Sequence, residues 1–599
     1  MRHGKGCHVS QASQVLDLHL DESDALSAIL FRWHTETLPA GFYGANRTIQ
    51  ATYADDKPWQ QTGIQLKNGS AIESETLATF DPSTGRVTVL AGSGASFGLA
   101  YKANTDWVES LTAGSYVQTR TLLSNRDALE RLRTTWAGAA KGDYSGTFDS
   151  SGRRASQVLG GETGNGSTNT YTYDARGQLI SSTNSAATTR SFAWAFDQAG
   201  NRTTQTHNGA VTTYGTGAAG GSANSLNQHP SISGAQAESG LQHDADGNMT
   251  ADGSWTCSYD AENRLTQMVR KNGTQTLQFA YDYLGRRVRK TVRSGGPTAA
   301  ITASTKFVWS GWKLIAELNA GTAQTGASLA KTYLWGPDIS GGAGAAGLLA
   351  VRQGGLIYYP VYDLHGNVTG YLDASGSVAA RYEYNATGQV IASSGNASSF
   401  AFGHSTQFTD PETGWVYFGL RFYNPKHGRF INRDPIHEQG GLNLYAYCAN
   451  TGLNAWDILG MRCWEVSWVT SVYDPKMAKE FSETYYETFV VTSHVTCDSD
   501  SSDPDTGQAT QTQGQSNSDN LNTTARTAGE TSQRGHSPAP NNPADKKDHP
   551  KDPRKTECDQ ARALAKGVEQ NINDGALKDG RARSRMGVND QPDTHSRVY

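Results

Sequence analysis

The sequence predicts an all-β protein built from repeated hairpins, and three observations carry that expectation. Glycine is abundant while proline is not, with 65 glycines and 18 prolines among 599 residues, which excludes a collagen-like chain. Charged residues make up 18% and aromatic residues 9%. The polarity therefore comes from Ser, Thr, Asn, Gln and Gly, a mixture in which Tyr, Trp, Thr and Val suit strands and Gly and Asn suit the turns between them. The third observation is that many glycines follow an aromatic-Asp pair at a fixed distance.

Reading along the chain, the unit occurs as Phe148-Asp149-x-x-Gly152-Arg153, Tyr173-Asp174-x-x-Gly177-Gln178, Phe196-Asp197-x-x-Gly200-Asn201 and His243-Asp244-x-x-Gly247-Asn248. It continues as Tyr259-Asp260-x-x-Asn263-Arg264, Tyr281-Asp282-x-x-Gly285-Arg286, Tyr362-Asp363-x-x-Gly366-Asn367 and Tyr384-Asn385-x-x-Gly388-Gln389, and a looser copy is Phe80-Asp81-x-x-x-Gly85-Arg86. Several copies are spaced by about 20 to 25 residues, so the chain is an internal repeat. One unit reads as a hairpin: aromatics line one face, Asp accepts from turn amides, Gly or Asn takes the φ > 0 position, and Arg or Asn opens the return strand. Basic residues after the glycine read as solvated, or as cross-strand partners of the aspartates. A single unit has too little apolar face to fold alone, so neighbours must pair edge to edge into a long sheet.

The repeats resemble the RHS, or YD-repeat, family, and residues 403–461 resemble its more specific RHS repeat-associated core. That second resemblance is carried by Thr409-Asp410-Pro411-Glu412-Thr413-Gly414, Tyr417, Arg421-Phe422-Tyr423-Asn424-Pro425, Gly428-Arg429-Phe430, Asp434-Pro435 and Asn443-Leu444-Tyr445-x-Tyr447-x-x-Asn450. It implies repeats that spiral into a hollow β shell, a core that plugs one end, and a variable C-terminal region held inside as cargo. Complete shells of the family are longer, so an incomplete one is expected here. The expected order is a degenerate β region at 1–74, repeats at 75–395, the core at 396–461, a short β-like segment at 462–497, a disordered polar tract at 498–557 and a tail at 558–599 with room for one helix.

The resemblance also implies chemistry. In shells of this family the core is an aspartyl autoprotease that cuts at the end of a PxxxxDPxGL motif. Here the equivalent stretch runs from Gly452 to Met461, with Gly452 and Ile458 in place of the two prolines and Met461 in place of leucine. By position, Asp434 and Asp457 match the family's catalytic aspartates, Arg421 its upstream arginine, and the cut falls between Met461 and Arg462. The residue types suit the task, because two close carboxylates cannot both ionise, and a guanidinium keeps one of them charged and oriented. Without the resemblance, Asp410, Asp434 and Asp457 read as turn caps.

The remaining signals bound the function. A net charge of −5 on a chain of this size argues against nucleic-acid binding by the shell. No apolar run is long enough to span a bilayer and no signal peptide is visible, so the family's secreted or cell-surface location is an expectation from resemblance. Scattered histidines lack ligand spacing, the loop from Asp244 fails the EF-hand pattern at Met249 and Trp255, and neither a metal nor a cofactor is expected. The six cysteines are far apart, and a Cys463–Cys497 bridge is one open pairing. The tail shows no nuclease, deaminase or ADP-ribosyltransferase constellation. Two readings follow. The first is a toxin shell that releases its own C-terminus, with secretion-system or toxin-complex proteins and an immunity protein as partners. The second is a non-enzymatic surface scaffold that binds carbohydrate or neighbouring cells.

Overall fold

The computed structural model describes residues 14–18, 31–43, 46–54, 60–124, 128–215, 223–338, 347–461 and 463–465. These belong to the first of two compact units, Met1–Glu487 and Thr488–Tyr599. Of the β-like segment expected at 462–497 only the strand Cys463–Glu465 is described; its remainder, including Arg462, and the expected polar tract and tail helix lie outside the described residues.

The described chain is almost entirely antiparallel β-structure, as expected. A first meander of eighteen strands runs from Gln14–Leu18 to Ile232–Gly234, and a second of fourteen runs from Gln242–His243 to Val390–Gly395. In both, each strand pairs with the next along the sequence. The one α-helical element among the described residues is the four-residue turn Ala40–Tyr43.

The repeat motif forms its turns by local chemistry. In the unit at Asp282, the carboxylate Oδ1 accepts from the amides of Leu284 at 3.0 Å and Arg286 at 2.9 Å, while the Gly285 amide donates to the Asp282 carbonyl. Gly285 sits at φ 80°, and Asn263 takes the same role at φ 58°. The calcium-like stretch at Asp244 is this same turn, with Oδ1 accepting from the Asn248 amide. The basic residues correct the sequence expectation. Arg153, Arg264 and Arg286 each pair with the aspartate of their own turn, four residues back, at 2.7–2.8 Å, because a five-residue turn returns that side chain onto its own cap.

Two regular features were not visible in the sequence. Each turn carries a β-bulge: Tyr281 pairs with Arg287 but Ala280 pairs with Arg289, leaving one extra residue on the return strand, and the units at Tyr173, Phe196, Tyr259, Tyr362 and Tyr384 repeat this. Such bulges add right-handed twist at every unit. The motif tyrosine also staples its unit to the one before. Tyr281 donates its hydroxyl to the Leu265 carbonyl at 2.6 Å, Tyr173 to Arg154 at 2.7 Å and Tyr384 to Val368 at 3.0 Å. In each case the acceptor is the residue just past the preceding turn.

The core segment packs onto this frame through a small sheet of Phe408–Asp410, Trp415–Tyr417, Phe422–Asn424 and Arg429–Phe430. Its Phe402, Trp415, Phe422 and Ile431 join one hydrophobic cluster with residues from both meanders, such as Leu132 and Leu277. Asp410 is no simple turn cap. It is buried and meets Arg287 at 2.6 Å and Lys290 at 2.9 Å, both from the second meander.

Candidate functional site

The C-terminal end of the core folds back as a hairpin, Ala455–Asp457 against Cys463–Glu465, with Asp457 opposite Cys463. The peptide between Met461 and Arg462 therefore belongs to the loop that joins these strands. Three separate segments hold this hairpin. Leu420 donates its amide to the Leu459 carbonyl at 3.1 Å, and the Gln407 amide side chain donates to the Ile458 carbonyl at 3.1 Å. Ile458 stands where the family motif has proline, and the bond from Gln407 restrains the chain at the point where proline would have done so through φ. Trp456 anchors the incoming strand by donating to the His365 carbonyl at 2.9 Å.

Gly460 is required twice over. It sits at φ 75°, and a Cβ there would come within 3.2 Å of the Arg421 backbone nitrogen. That tight approach lets Arg421 reach along the loop. Its guanidinium carbon lies over Phe430, 3.6 Å from the ring centroid, and the group donates to the carbonyls of Gly460, Leu444 and Met461, the last at 3.3 Å.

The structure brings Arg421, Asp434 and Asp457 together, all three buried. Arg421 Nη2 lies 2.8 Å from Asp434 Oδ2 and 3.5 Å from Asp457 Oδ2. One nitrogen thus faces two carboxylates and the Met461 carbonyl. Asp457 Oδ1 accepts from the amides of Gly460 at 2.6 Å and Met461 at 3.1 Å, which shapes the loop, while its Oδ2 accepts no hydrogen bond among the described residues. Asp434 Oδ1 accepts from the Ile436 amide at 3.0 Å. The capping role foreseen for these aspartates is therefore real for one oxygen of each; the other oxygen of each faces Arg421.

Burial pushes Asp434 up to about 6; the Arg421 guanidinium opposes this, and the Asp457 charge adds to it. Asp457 is raised as well, by burial, against the pull of Arg421 and the loop amides. One cation between two buried carboxylates holds a single negative charge comfortably, so the pair retains a proton at a pH where isolated carboxylates have lost theirs.

Sequence reasoning missed Gly440. A Cβ on it would lie 2.4 Å from Asp434 Oδ2 and 3.4 Å from the Met461 oxygen, so the absent side chain leaves the gap between them open. The adjacent pair Gly440-Gly441 was the one local signal. No cluster of His, Cys, Asp or Glu among the described residues is arranged to hold a metal ion, and no helix among them is long and apolar enough to cross a membrane.

A tRNA3(Ser)-specific nuclease, WapA, of Bacillus spizizenii is 28% identical over 306 residues, covering 49% of this chain and 12% of that protein. The double-stranded DNA deaminase toxin A of Burkholderia cenocepacia is 33% identical over 227 residues, covering 34% of this chain and 15% of that protein. The chain thus spans about an eighth of the length of these relatives. A chain of the TcdB2-TccC3-Cdc42 crystal structure aligns over 75% of this chain and 26% of its own at 17% identity, with a TM-score of 0.49. The Teneurin YD-shell model matches residues 44–451, through both meanders and into the core segment, and the chain belongs to that family of RHS and Tyr-Asp repeat shell proteins.

Proposed function

We propose that this chain is the shell and core of a secreted polymorphic toxin, and that the core cuts its own chain once, after Met461, to free the variable C-terminal region it encloses. The observation that carries this reading is the position of Arg421 Nη2, in reach of Asp434, Asp457 and the Met461 carbonyl at once. In the proposed step the ionised member of the pair takes a proton from a water molecule, whose oxygen bonds to the Met461 carbonyl carbon. Arg421 stabilises the negative charge that develops on the carbonyl oxygen. The protonated member gives its proton to the departing nitrogen of Arg462 as the peptide bond breaks. A tethered substrate held in place needs no binding step, so one turnover suffices.

Mass spectrometry of the purified protein tests this. A fragment that begins at Arg462 is expected; a chain that stays intact at 64.3 kDa would sink the protease assignment. The cargo role of the C-terminal region, and partners among secretion or toxin-complex proteins and an immunity protein, belong to this proposal and rest on the toxin relatives. Carbohydrate binding has no supporting observation.

Two further expectations arise from the site. Because Asp434 is raised to about 6, self-cleavage should be fastest at mildly acidic pH and slow by about tenfold per unit above that value, as the pair loses its shared proton. A refolded chain followed by gel at stepped pH checks this, and a rate flat from pH 5 to 9 would contradict it. The same raised value means that Asp434's own contribution to stability is fully present below the ordinary carboxylate range and is lost as pH rises through about 6. Gly440→Ala should slow the cut by roughly 100-fold while the unfolding midpoint moves little, since the added methyl lies between the acid and the carbonyl.

A further inference from the structure

Arg421 is held by two kinds of contact. Its Nε donates to the Gly460 carbonyl and its Nη2 to the Met461 carbonyl, and Nη2 also faces Asp434 and Asp457. Every one of these partners changes during the proposed cut, because the Met461 carbonyl becomes tetrahedral, the loop parts beyond it, and the two carboxyls exchange a proton. Two contacts stay the same throughout. Nη1 donates to the Leu444 carbonyl at 3.1 Å, and the guanidinium carbon lies over the Phe430 ring, 3.6 Å from its centroid. One hydrogen bond fixes a direction within the plane of the guanidinium but leaves that plane free to tilt. A ring over the group removes the tilt, because its electron-rich face attracts the cation.

The ring itself is firmly held. Phe430 is buried, its amide donates to the Tyr445 carbonyl at 2.9 Å, and it pairs with Tyr423 in the small core sheet. The rings of Phe418, Tyr423 and Tyr447 surround it, with centroids 5.6, 5.7 and 6.0 Å away and interplanar angles of 80°, 67° and 62°. Inclined pairs of this kind favour one orientation of a ring. Tyr423 is tied in turn to the repeat turn at Asn385, where its hydroxyl donates to the Thr387 carbonyl at 2.7 Å. These supports come from the repeats and the core strands, and none of them belongs to the loop that is cut.

We propose that Phe430 is a positioning residue for self-cleavage: its π face sets the plane of the Arg421 guanidinium, so that Nη2 stays directed at Asp434, Asp457 and the Met461 carbonyl oxygen as charge moves between them. This rests on the self-cleavage reading. The ring touches no reacting atom and acts only through Arg421. Attraction at the face depends on the electron density of the ring, whereas packing depends on its shape. Fluorine separates the two, because it withdraws electrons with little change in size.

The test uses the full-length chain made by cell-free translation, with mono-, di- or trifluorinated phenylalanine placed at position 430. Appearance of the fragment that begins at Arg462 is followed after a radioactive pulse. The rate is expected to fall with each added fluorine, by about 10-fold across the series, while the limited-proteolysis pattern of the shell stays the same. The same residues placed at Phe402, which packs on Tyr333, Trp335 and Phe408, should leave the rate unchanged. A rate that stays level across the series at 430, or that falls equally at 402, overturns the role of Phe430 and leaves self-cleavage standing. An unsubstituted chain that never yields the fragment removes the self-cleavage reading, and the role of Phe430 with it.

Discussion

Asp434→Asn is expected to leave a folded, uncut chain, with self-cleavage slowed by about 100- to 10,000-fold, the usual worth of a positioned acid or base. The substitution keeps the shape of the side chain and its bond from the Ile436 amide, but removes the charge and proton that the pair exchanges. Asp457→Asn should be as severe for a second reason. Asp457 Oδ1 also fixes the amides of Gly460 and Met461, so an amide in its place can turn a donor toward two donors. The two variants together should lose little more than either alone, because groups that act as a unit are not additive. Intact-mass measurement of each variant reads the result directly. Efficient cutting of Asp434→Asn would show that the carboxyl is a structural partner of Arg421 and nothing more. The fold is monitored independently, since near-ultraviolet circular dichroism reports the aromatic cluster of the core.

The repeat was legible because its chemistry closes within five residues. Asp282 meets the amides of Leu284 and Arg286 without help from any distant segment, so spacing alone announces it. Partners across strands were less legible. The basic residues were expected on solvent or on neighbouring strands, and the turn geometry instead returns Arg286 to Asp282. The staple from Tyr281 to the Leu265 carbonyl depends on a bulge that no local pattern records. Asp434, Asp457 and Arg421 could be named in advance through the resemblance of the core segment, whose motifs are long. Gly440 and Gln407 could not, because each acts on the loop from outside the cleavage motif, and their contacts exist only once the hairpin has folded back. The Cys463–Cys497 pairing that the sequence left open falls on Cys497, outside the described residues.

The largest effect on stability is expected at Asp410, which joins the core segment to the second meander. Arg287 is among the largest fully buried side chains of the described residues, and its guanidinium lies among the rings of Phe279, Phe307, Phe408, Tyr417 and Phe422. Those rings supply cation–π attraction but no counter-charge. The charge is met by Asp410 at 2.6 Å, and Lys290 shares the same carboxylate at 2.9 Å while also meeting Glu412 at 3.0 Å. Removing the carboxylate in Asp410→Ala strands Arg287 in a dry site, and breaking a buried pair in this way costs about 3–5 kcal/mol. Arg287→Met removes the other partner yet leaves Lys290 to balance Asp410, so it should cost less, and Asp410→Ala with Arg287→Met should recover part of the loss. Burial alone would raise Asp410, but Arg287 and Lys290 outweigh it and hold it below the usual carboxylate range. Its contribution is therefore present above about pH 4 and lost as pH falls through its lowered value in the folded state. Urea midpoints at pH 7 and pH 3 read both effects: the Asp410→Ala penalty should be full at pH 7 and shrink in acid. A penalty independent of pH would mean that shape, not charge, joins the core to the repeats, and self-cleavage would then not depend on this ion pair to hold Arg421 and the loop in register.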